Sequence, residues 1–375
     1  MKIAVFHYFI SDNNPAGKCV KAMIDGLSEK NSIVVFSNIY ESEFAHRVEW
    51  VKVPVIRRPL VLLYVTFFIM ATLLYAIKRI HKKFDKVIFT ESRLPIKGIS
   101  YAHYCHGAYL KNQWQLNTSK GFRRLLKFLN HKIHAVGEYF FYPRLKTIVV
   151  PSRGLNRELK KEYSLNNISI IPNPVKNNYM KAPQTFDCDA FRKAQGFNAN
   201  DIVLVFVALG DFERKGLPIV FSALSMSKDT RLRLLVVGGN GGLIREYKKS
   251  ADALEISSQV KFVGMQKDVR PFLWASDCFV FPTMYEIFPL VVLEAAAAGL
   301  LLLVTNVYGV EEYIEDAVNG IIIERNAESL KSAFDRLLAM SDEDRKTIGR
   351  QAQHDVANYS TDAFVMSWKR LLNSE

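Results

Sequence analysis

The stretch FVFPTMYEIFPLVVLEAAAAG, residues 279–299, decides how this chain is read. Its opening residues are apolar and β-rich, and Pro282 cannot continue a central strand. A short polar loop then carries Glu286, and Pro289, whose fixed φ suits the first position of a helix, opens an alanine-rich run that carries Glu294. The spacing predicts strand, loop and helix. A helix start offers unpaired N–H groups and the positive end of a dipole, so a phosphate would sit well there. With Glu286 before the helix and Glu294 inside it, a rise of about 1.5 Å per residue separates the two carboxylates by roughly 10 Å. Two carboxylates acting on one bond in a retaining glycosidase need about 5 Å. This pair suits gripping the two ends of an elongated ligand.

Upstream, a strand from 202 to 208 runs into LGDFERKG, residues 209–216, and a helix follows. Arg214 and Lys215 therefore stand at the carboxyl end of a strand, where a guanidinium fork and a point charge can neutralise a diphosphate. Further units follow: a strand at 232–237 with Gly238-Gly239-Asn240-Gly241-Gly242, a strand at 260–263 with Gly264, and, beyond the opening stretch, a strand at 300–305 with Gly309. Strands alternating with helical patterns predict a parallel sheet. Helices at about 328–340 and 342–357 precede a last amphipathic segment at 361–372. Asp187/Asp189 spell D-x-D, a pattern that can hold a metal bound to diphosphate, but no β-run presents it. Asp342/Asp344 spell the same thing where a helix start favours acids in any case.

The polar segment 176–200 after Asn173-Pro174 marks the domain boundary. Residues 1–172 form one expected domain and 173–357 the other, with the segment from about 358 to 375 packing back on the first. The first domain opens with a strand at 2–10, a turn at Asn13–Gly17 and a helix from about 18 to 29; Gly17 is a candidate for close approach to a phosphate. Strands are expected at 33–37, 51–55, 86–90, 99–104, 147–152 and 168–172. His103 would lie inside its strand, and His106 just past its end, at the mouth where open α/β sheets place ligands.

Two segments of the first half could meet a lipid surface, although a solvated basic domain face would account for the second of them without a membrane. Residues 59–77, PLVLLYVTFFIMATLLYAI, are uncharged and long enough to span a bilayer. A span would split one parallel sheet across the membrane, so the reading is a buried or half-buried crossover helix with part of its surface able to touch lipid. Residues 119–134 set Phe122, Leu125, Leu126 and Leu129 against Lys120, Arg123, Arg124, Lys127 and Lys132, a basic amphipathic helix. The aromatic run 139–142 follows, fit to anchor at headgroup depth or to pack. Residues 1–172 hold 27 Lys+Arg against 11 Asp+Glu, whereas 173–375 hold 23 against 26, so the first half carries all of the net charge of +13. That surface favours an anionic membrane or a nucleic acid. Four scattered cysteines form neither a disulfide framework nor a zinc spacing. A reducing, cytoplasmic setting and no signal peptide are expected.

The motifs LGDFERKG, VVGGNGG, VKFVG, PTMYEIFPLVVLEAAAAG, YGVEE and NGIII together resemble the retaining glycosyltransferases of family 4, with Glu286 and Glu294 as the E-x7-E pair. Gly17, His106, VVPS at 149–152 and PNP at 172–174 match weakly in the first half. The resemblance implies a GT-B fold: α/β, with two Rossmann-like α/β/α domains whose parallel sheets face across a cleft. It implies that Arg214 and Lys215 bind a donor diphosphate, Glu286 the transferred sugar and Glu294 the ribose, with His106 beside sugar and acceptor. Gly17, Gly210, Gly239, Val263, Gly264, Phe288, Pro289, Leu290 and Val291 would line the donor; Pro289 has no N–H, so donation falls to Leu290 and Val291. Lys120, Arg123, Arg124 and Lys127 would meet membrane or acceptor. The activity implied is retaining, metal-independent transfer of a hexose-type sugar from a nucleotide-diphospho-sugar to a membrane-attached glycan or glycolipid of the cell envelope. No cofactor or metal and no nucleic-acid partner is expected, and the place is the inner face of the cytoplasmic membrane. Other GT-B enzymes, a sugar-phosphate synthase or nucleotide-sugar epimerase, and a Rossmann oxidoreductase or nucleotide-binding protein are the competing readings. The missing GxGxxG after the first strand argues against an oxidoreductase.

Overall fold

The computed structural model describes residues 1–90, 96–116 and 121–374, and the chain divides into two compact units. One comprises Met1–Pro174 with Thr361–Glu375, the other Val175–Ser360. Each is a Rossmann-like parallel sheet covered by helices on both faces. Strands buried on both faces read as continuous apolar runs, which is why IAVF, IVVF and IVLVFV carry no polar alternation.

In the first unit the strands are β1 Lys2–Phe6, β2 Ser32–Ser37, β3 Glu49–Lys52, β4 Lys86–Thr90, β5 Ile99–Tyr101, β6 Thr147–Val150 and β7 Ile168–Ile170, in the spatial order β3-β2-β1-β4-β5-β6-β7. The helices are α1 Pro15–Leu27, α2 Leu60–His81, α3 His106–Asn112, α4 Gly121–Phe141 and α5 Arg153–Tyr163. Helix α1 starts three residues before its apolar periodicity does, because Asn14 caps it: the Asn14 side chain accepts from the Gly17 N–H at 2.8 Å. Gly17 serves packing, since a Cβ there would stand 2.1 Å from the Phe9 carbonyl oxygen.

Helix α2 is the crossover between β3 and β4, and the sheet it serves is whole. Only one stripe of it, Leu63, Phe67, Ala71 and Tyr75, is buried. Strand β5 ends at Tyr101, so His103 lies beyond the strand rather than inside it, its ring tilted against that of Tyr101 with 4.1 Å between ring centres. Helix α4 continues through the aromatic run to Phe141: Tyr139 and Phe140 are exposed, while Tyr142 just beyond is buried. The C-terminal helix Thr361–Ser374 joins this unit through α1, with Trp368 edge-on to Tyr101 at 5.2 Å and Lys369 paired to Glu29 at 3.5 Å. The boundary falls after Pro174 because Asn173 still belongs here, its side chain accepting from the Tyr101 hydroxyl.

The second unit orders its strands β10-β9-β8-β11-β12-β13, where β8 is Ile202–Val207, β9 Leu232–Val237, β10 Val260–Gly264, β11 Cys278–Phe281, β12 Leu301–Thr305 and β13 Ile321–Ile323. Its core is a single apolar cluster around β8, β9, β11 and β12. The two ends of the unit meet, Val175 N–H donating to the Tyr359 carbonyl at 2.8 Å. Asp187 caps the helix Cys188–Ala194, accepting from Ala190 N–H at 2.9 Å, which accounts for the first D-x-D; Asp344 completes a capping box with Ser341, which accounts for the second.

Candidate active site

The order of the second sheet reverses between β8 and β11: chain direction runs from β8 outward to β9 and β10 on one side, and from β11 to β12 and β13 on the other. The loops leaving the carboxyl ends of these two strands part there, and open α/β sheets bind ligands in that crevice. The loop after β8 is Ala208–Asp211 followed by the single turn α6, Phe212–Lys215; the loop after β11 is Pro282–Pro289. Phe212 anchors α6 in the core, fully buried, so Arg214 and Lys215 project from a fixed base. Gly216, at φ +88°, lets the two loops touch: a Cβ there would stand 2.2 Å from the Pro282 carbonyl oxygen. Met284 N–H donates to the Arg214 carbonyl at 3.0 Å, locking the contact.

Onto this frame the sequence places one carboxylate between two cations. Arg214 Nη1 donates to Glu286 Oε1 at 3.1 Å and to the Tyr285 carbonyl at 2.6 Å, and Arg214 Nε to Asp211 Oδ2 at 2.8 Å. Lys215 Nζ donates to the same Glu286 oxygen and lies 5.2 Å from the centre of the Phe281 ring. Thr283 Oγ1 adds a third bond to Glu286 at 3.0 Å, and Thr305 fixes that loop by donating to the Thr283 carbonyl at 2.7 Å. Burial pushes the Glu286 carboxyl up, but the charges of Lys215 and Arg214 and the bonds from Lys215 and Thr283 outweigh it and hold it below the usual carboxylate range. Burial lowers the Lys215 ammonium, against the pull of Glu286. The two cations are matched by Glu286 and by Asp211, and both keep N–H groups beyond these bonds with which to meet an anionic ligand.

Behind Glu286 the helix α7, Leu290–Ala297, begins with Pro289 as its cap rather than its first residue, because ψ of 105° there is extended. The N–H groups of Leu290 and Val291 lie in the first turn, where a helix has no carbonyl for them. Glu294 is buried on the next turn, and Phe288 is buried against Tyr313 and Tyr359, with ring centres at 5.9 and 5.7 Å.

In the first unit His106 is the first residue of α3 and is buried. The α3 N-terminus is closed by Glu138 of α4, whose carboxylate accepts from His106 N–H at 2.9 Å, Gly107 N–H at 3.1 Å and the Tyr163 hydroxyl at 2.6 Å. His106 Nδ1 lies 3.0 Å from His131 Nδ1, and its ring centre 4.5 Å from that of His134. Burial, aided by the charge of Lys127, lowers His131 to about 4, and burial lowers His103 to about 4 as well. Both are neutral near pH 7.

Residues 16–178 match the family Glycosyltransferase Family 4, and residues 187–355 match Glycosyl transferases group 1, so the two matches take in nearly the whole chain. A crystal structure of WaaG, a glycosyltransferase involved in lipopolysaccharide biosynthesis, superposes over 100% of both chains with a TM-score of 0.80 at 19% identity. The chain belongs to the family 4 glycosyltransferases, with the GT-B fold. Among curated relatives, the lipopolysaccharide core biosynthesis glycosyltransferase LpsE of Rhizobium meliloti is 30% identical over 173 residues, 46% of this chain and 50% of that one. The UDP-Gal:alpha-D-GlcNAc-diphosphoundecaprenol alpha-1,3-galactosyltransferase of Escherichia coli is 28% identical over 181 residues, 47% of this chain and 46% of that one. The chain spans about half the length of the curated relatives it matches.

In this GT-B chain the expected donor residues occupy one rim of the second sheet. Gly239, at φ +77°, leaves room for the Phe212 ring, which a Cβ would meet at 2.6 Å. Gly210 faces open space, and Gly264, at φ +70°, follows half-buried Val263 and accepts from Gly238 N–H at 2.7 Å. Gly17 lies in the first unit, at the start of α1, where its N–H is held by Asn14. Of the membrane candidates, Arg124 and Lys127 are exposed on α4, while Lys120 and the side chain of Arg123 lie outside the described residues. Sequence reasoning missed Asp211, which aims Arg214, and Thr283, which aims Glu286; Thr283 sits three residues before Glu286 in a turn, a spacing that could have been noticed. It also missed His131, His134 and Glu138 around His106, because their convergence depends on how α4 packs on α3.

Proposed function

We propose that this family 4 chain is a retaining glycosyltransferase that moves a hexose-type sugar from a nucleotide-diphospho-sugar to a membrane-attached glycan or glycolipid in cell-envelope polysaccharide synthesis. The observation that carries it is the Arg214–Lys215–Glu286 cluster at the strand-order reversal of the second sheet. The curated relatives support the setting, one acting in lipopolysaccharide core synthesis and one, by its name, on a diphosphoundecaprenol-linked sugar.

The chemistry asks these residues to stabilise a departing diphosphate. Negative charge grows on the β-phosphate as its bond to the anomeric carbon breaks, and fixed cations placed there act more strongly on the transition state than on the ground state. Arg214 offers a planar fork with five donors and Lys215 a point charge with three, so both can hold Glu286 and a phosphate together. The Leu290 and Val291 N–H groups add a helix-end dipole. Glu286 takes sugar hydroxyls and Glu294 the ribose. The acceptor oxygen bonds to the anomeric carbon on the face the diphosphate leaves, its proton going to the departing phosphate, and the anomeric configuration is kept. His106 orients the acceptor hydroxyl. The cations are the protein's own, so the reading is metal-independent, and the enzyme works peripherally at the inner face of the cytoplasmic membrane.

The test is a screen of UDP-, GDP- and ADP-sugars for slow hydrolysis without acceptor, with and without EDTA, followed by NMR of the released sugar. One donor hydrolysed with the same rate in EDTA and with retained configuration is expected. Hydrolysis of none of them, or an inverted product, overturns the reading.

A further inference from the structure

Helices α2 and α4 leave an apolar groove on the first unit of about 550 Å³, within the range of about 300–1,000 Å³ typical of ligand pockets. Its walls are Tyr64, Val65 and Phe68 of α2 against Ile133, Val136 and Phe140 of α4, and Arg144, just past α4, also lines it. The groove continues an unusual surface. Leu62, Val65, Ile69, Leu73 and Ile77 recur every three or four residues along α2, and all are at least 39% exposed. The most apolar window of α2 has a mean hydropathy of 2.4, yet only 22% of it is buried. A water-facing stripe of this size costs free energy unless something apolar covers it.

The groove is joined to the site. His134 lines it, stands edge-on to Tyr64 at 4.6 Å, and on its other side lies against His106, with ring centres 4.5 Å apart. Continuing along the same face of α4 toward its start come His131, then Lys127 and Arg124, spaced three and four residues apart, as neighbours on one helical face are. Arg124 lies 5.7 Å from the centre of the Trp114 ring. Hydrocarbon-lined groove, histidine cluster and cations thus follow one another along a single helix.

Resting on the glycosyltransferase reading, we propose that this groove holds the hydrocarbon chain of a phosphate-bearing lipid acceptor, whose phosphate is carried past the histidines to Lys127 and Arg124. A protein helix would satisfy the apolar walls but not the run of cations beside the histidines.

The experiment titrates the full chain with monomeric dodecyl phosphate by calorimetry, beside hexyl phosphate and dodecyltrimethylammonium. Saturable binding of one dodecyl phosphate per chain is expected, about tenfold tighter than either control. Val136→Trp, which fills the groove from an exposed position, should weaken it about tenfold, and Lys127→Gln/Arg124→Gln should lower the preference for phosphate over ammonium several-fold, Arg144 at the groove keeping the remainder. Leu73→Ser, outside the groove, should leave affinity within about twofold, and thermal melts confirm that each variant folds. Non-saturable uptake, no binding, equal binding of the ammonium probe, or indifference to Val136→Trp overturns the proposal, as does concentration-dependent dimerisation that Val136→Trp abolishes. Donor hydrolysis without acceptor depends on the other unit, so its failure alongside intact lipid binding sinks the catalytic reading and leaves the groove.

Discussion

At the scale of single residues, the site is a competition for Glu286 Oε1, which takes bonds from Arg214, Lys215 and Thr283 at once. Arg214 is the donor whose proposed role in catalysis can be tested apart from folding, because it is a quarter exposed and rests on a backbone turn held by Phe212. Arg214→Ala should lower kcat/KM about 10²–10³-fold, the loss typical of removing one charge-stabilising donor, with the melting temperature little changed. A variant that folds, binds donor and transfers at the wild-type rate would remove Arg214 from the mechanism. Glu286 makes a pH prediction. Its folded-state carboxyl lies below the ordinary value, so the stability it contributes is full above the unfolded value of about 4.3 and is lost as pH falls through the lower folded one. Wild type should therefore melt above Glu286→Gln at pH 7, and the gap should close on acidification below about pH 4. A gap that stays constant from pH 7 to about pH 3 would show that the carboxyl is not held down by its partners.

At the scale of elements, what could be read from sequence was what obeys a period. The strand–loop–helix at 279–299 was legible because β-rich apolar residues, Pro282 and Pro289 punctuate it. The D-x-D pairs yielded to capping logic for the same reason. Boundaries set by tertiary contact were not legible: Asn14 starts α1 early, β5 stops at Tyr101 and strands His103 outside, and α4 absorbs the aromatic run. Nor could periodicity show that Glu138 reaches from α4 to the end of α3. The C-terminal helix gives a sharp test of such packing. A Cβ on Gly26 of α1 would stand 2.4 Å from a methyl of Val365. Gly26→Ala should therefore destabilise by about 1–3 kcal/mol, the usual cost of overpacking. Val365→Ala placed on top should recover part of the loss, since the two residues share one contact. Purely additive losses in the double variant would mean that the helix Thr361–Ser374 is not seated on α1.

At the scale of the whole molecule, charge divides unevenly between the two halves of the sequence. The Arg214–Lys215–Glu286 cluster lies in the half of the sequence whose charge nearly balances, while residues 1–172 hold 27 Lys+Arg against 11 Asp+Glu. That half also exposes Leu125, Phe128 and Leu129 of α4 and the outer stripe of α2. Two forces should then add at an anionic bilayer: cations near its surface contribute about 1 kcal/mol each and are screened by salt, whereas apolar insertion is not. The chain should co-sediment with vesicles of phosphatidylethanolamine and phosphatidylglycerol, lose most but not all of that binding as salt rises from about 0.05 to 0.5 M, and bind phosphatidylcholine vesicles only at the salt-resistant level. Basic charge alone would give the same salt curve on duplex DNA and no residual. A residual on lipid that DNA lacks would mark the membrane as the partner, and equal retention on DNA would reverse that assignment.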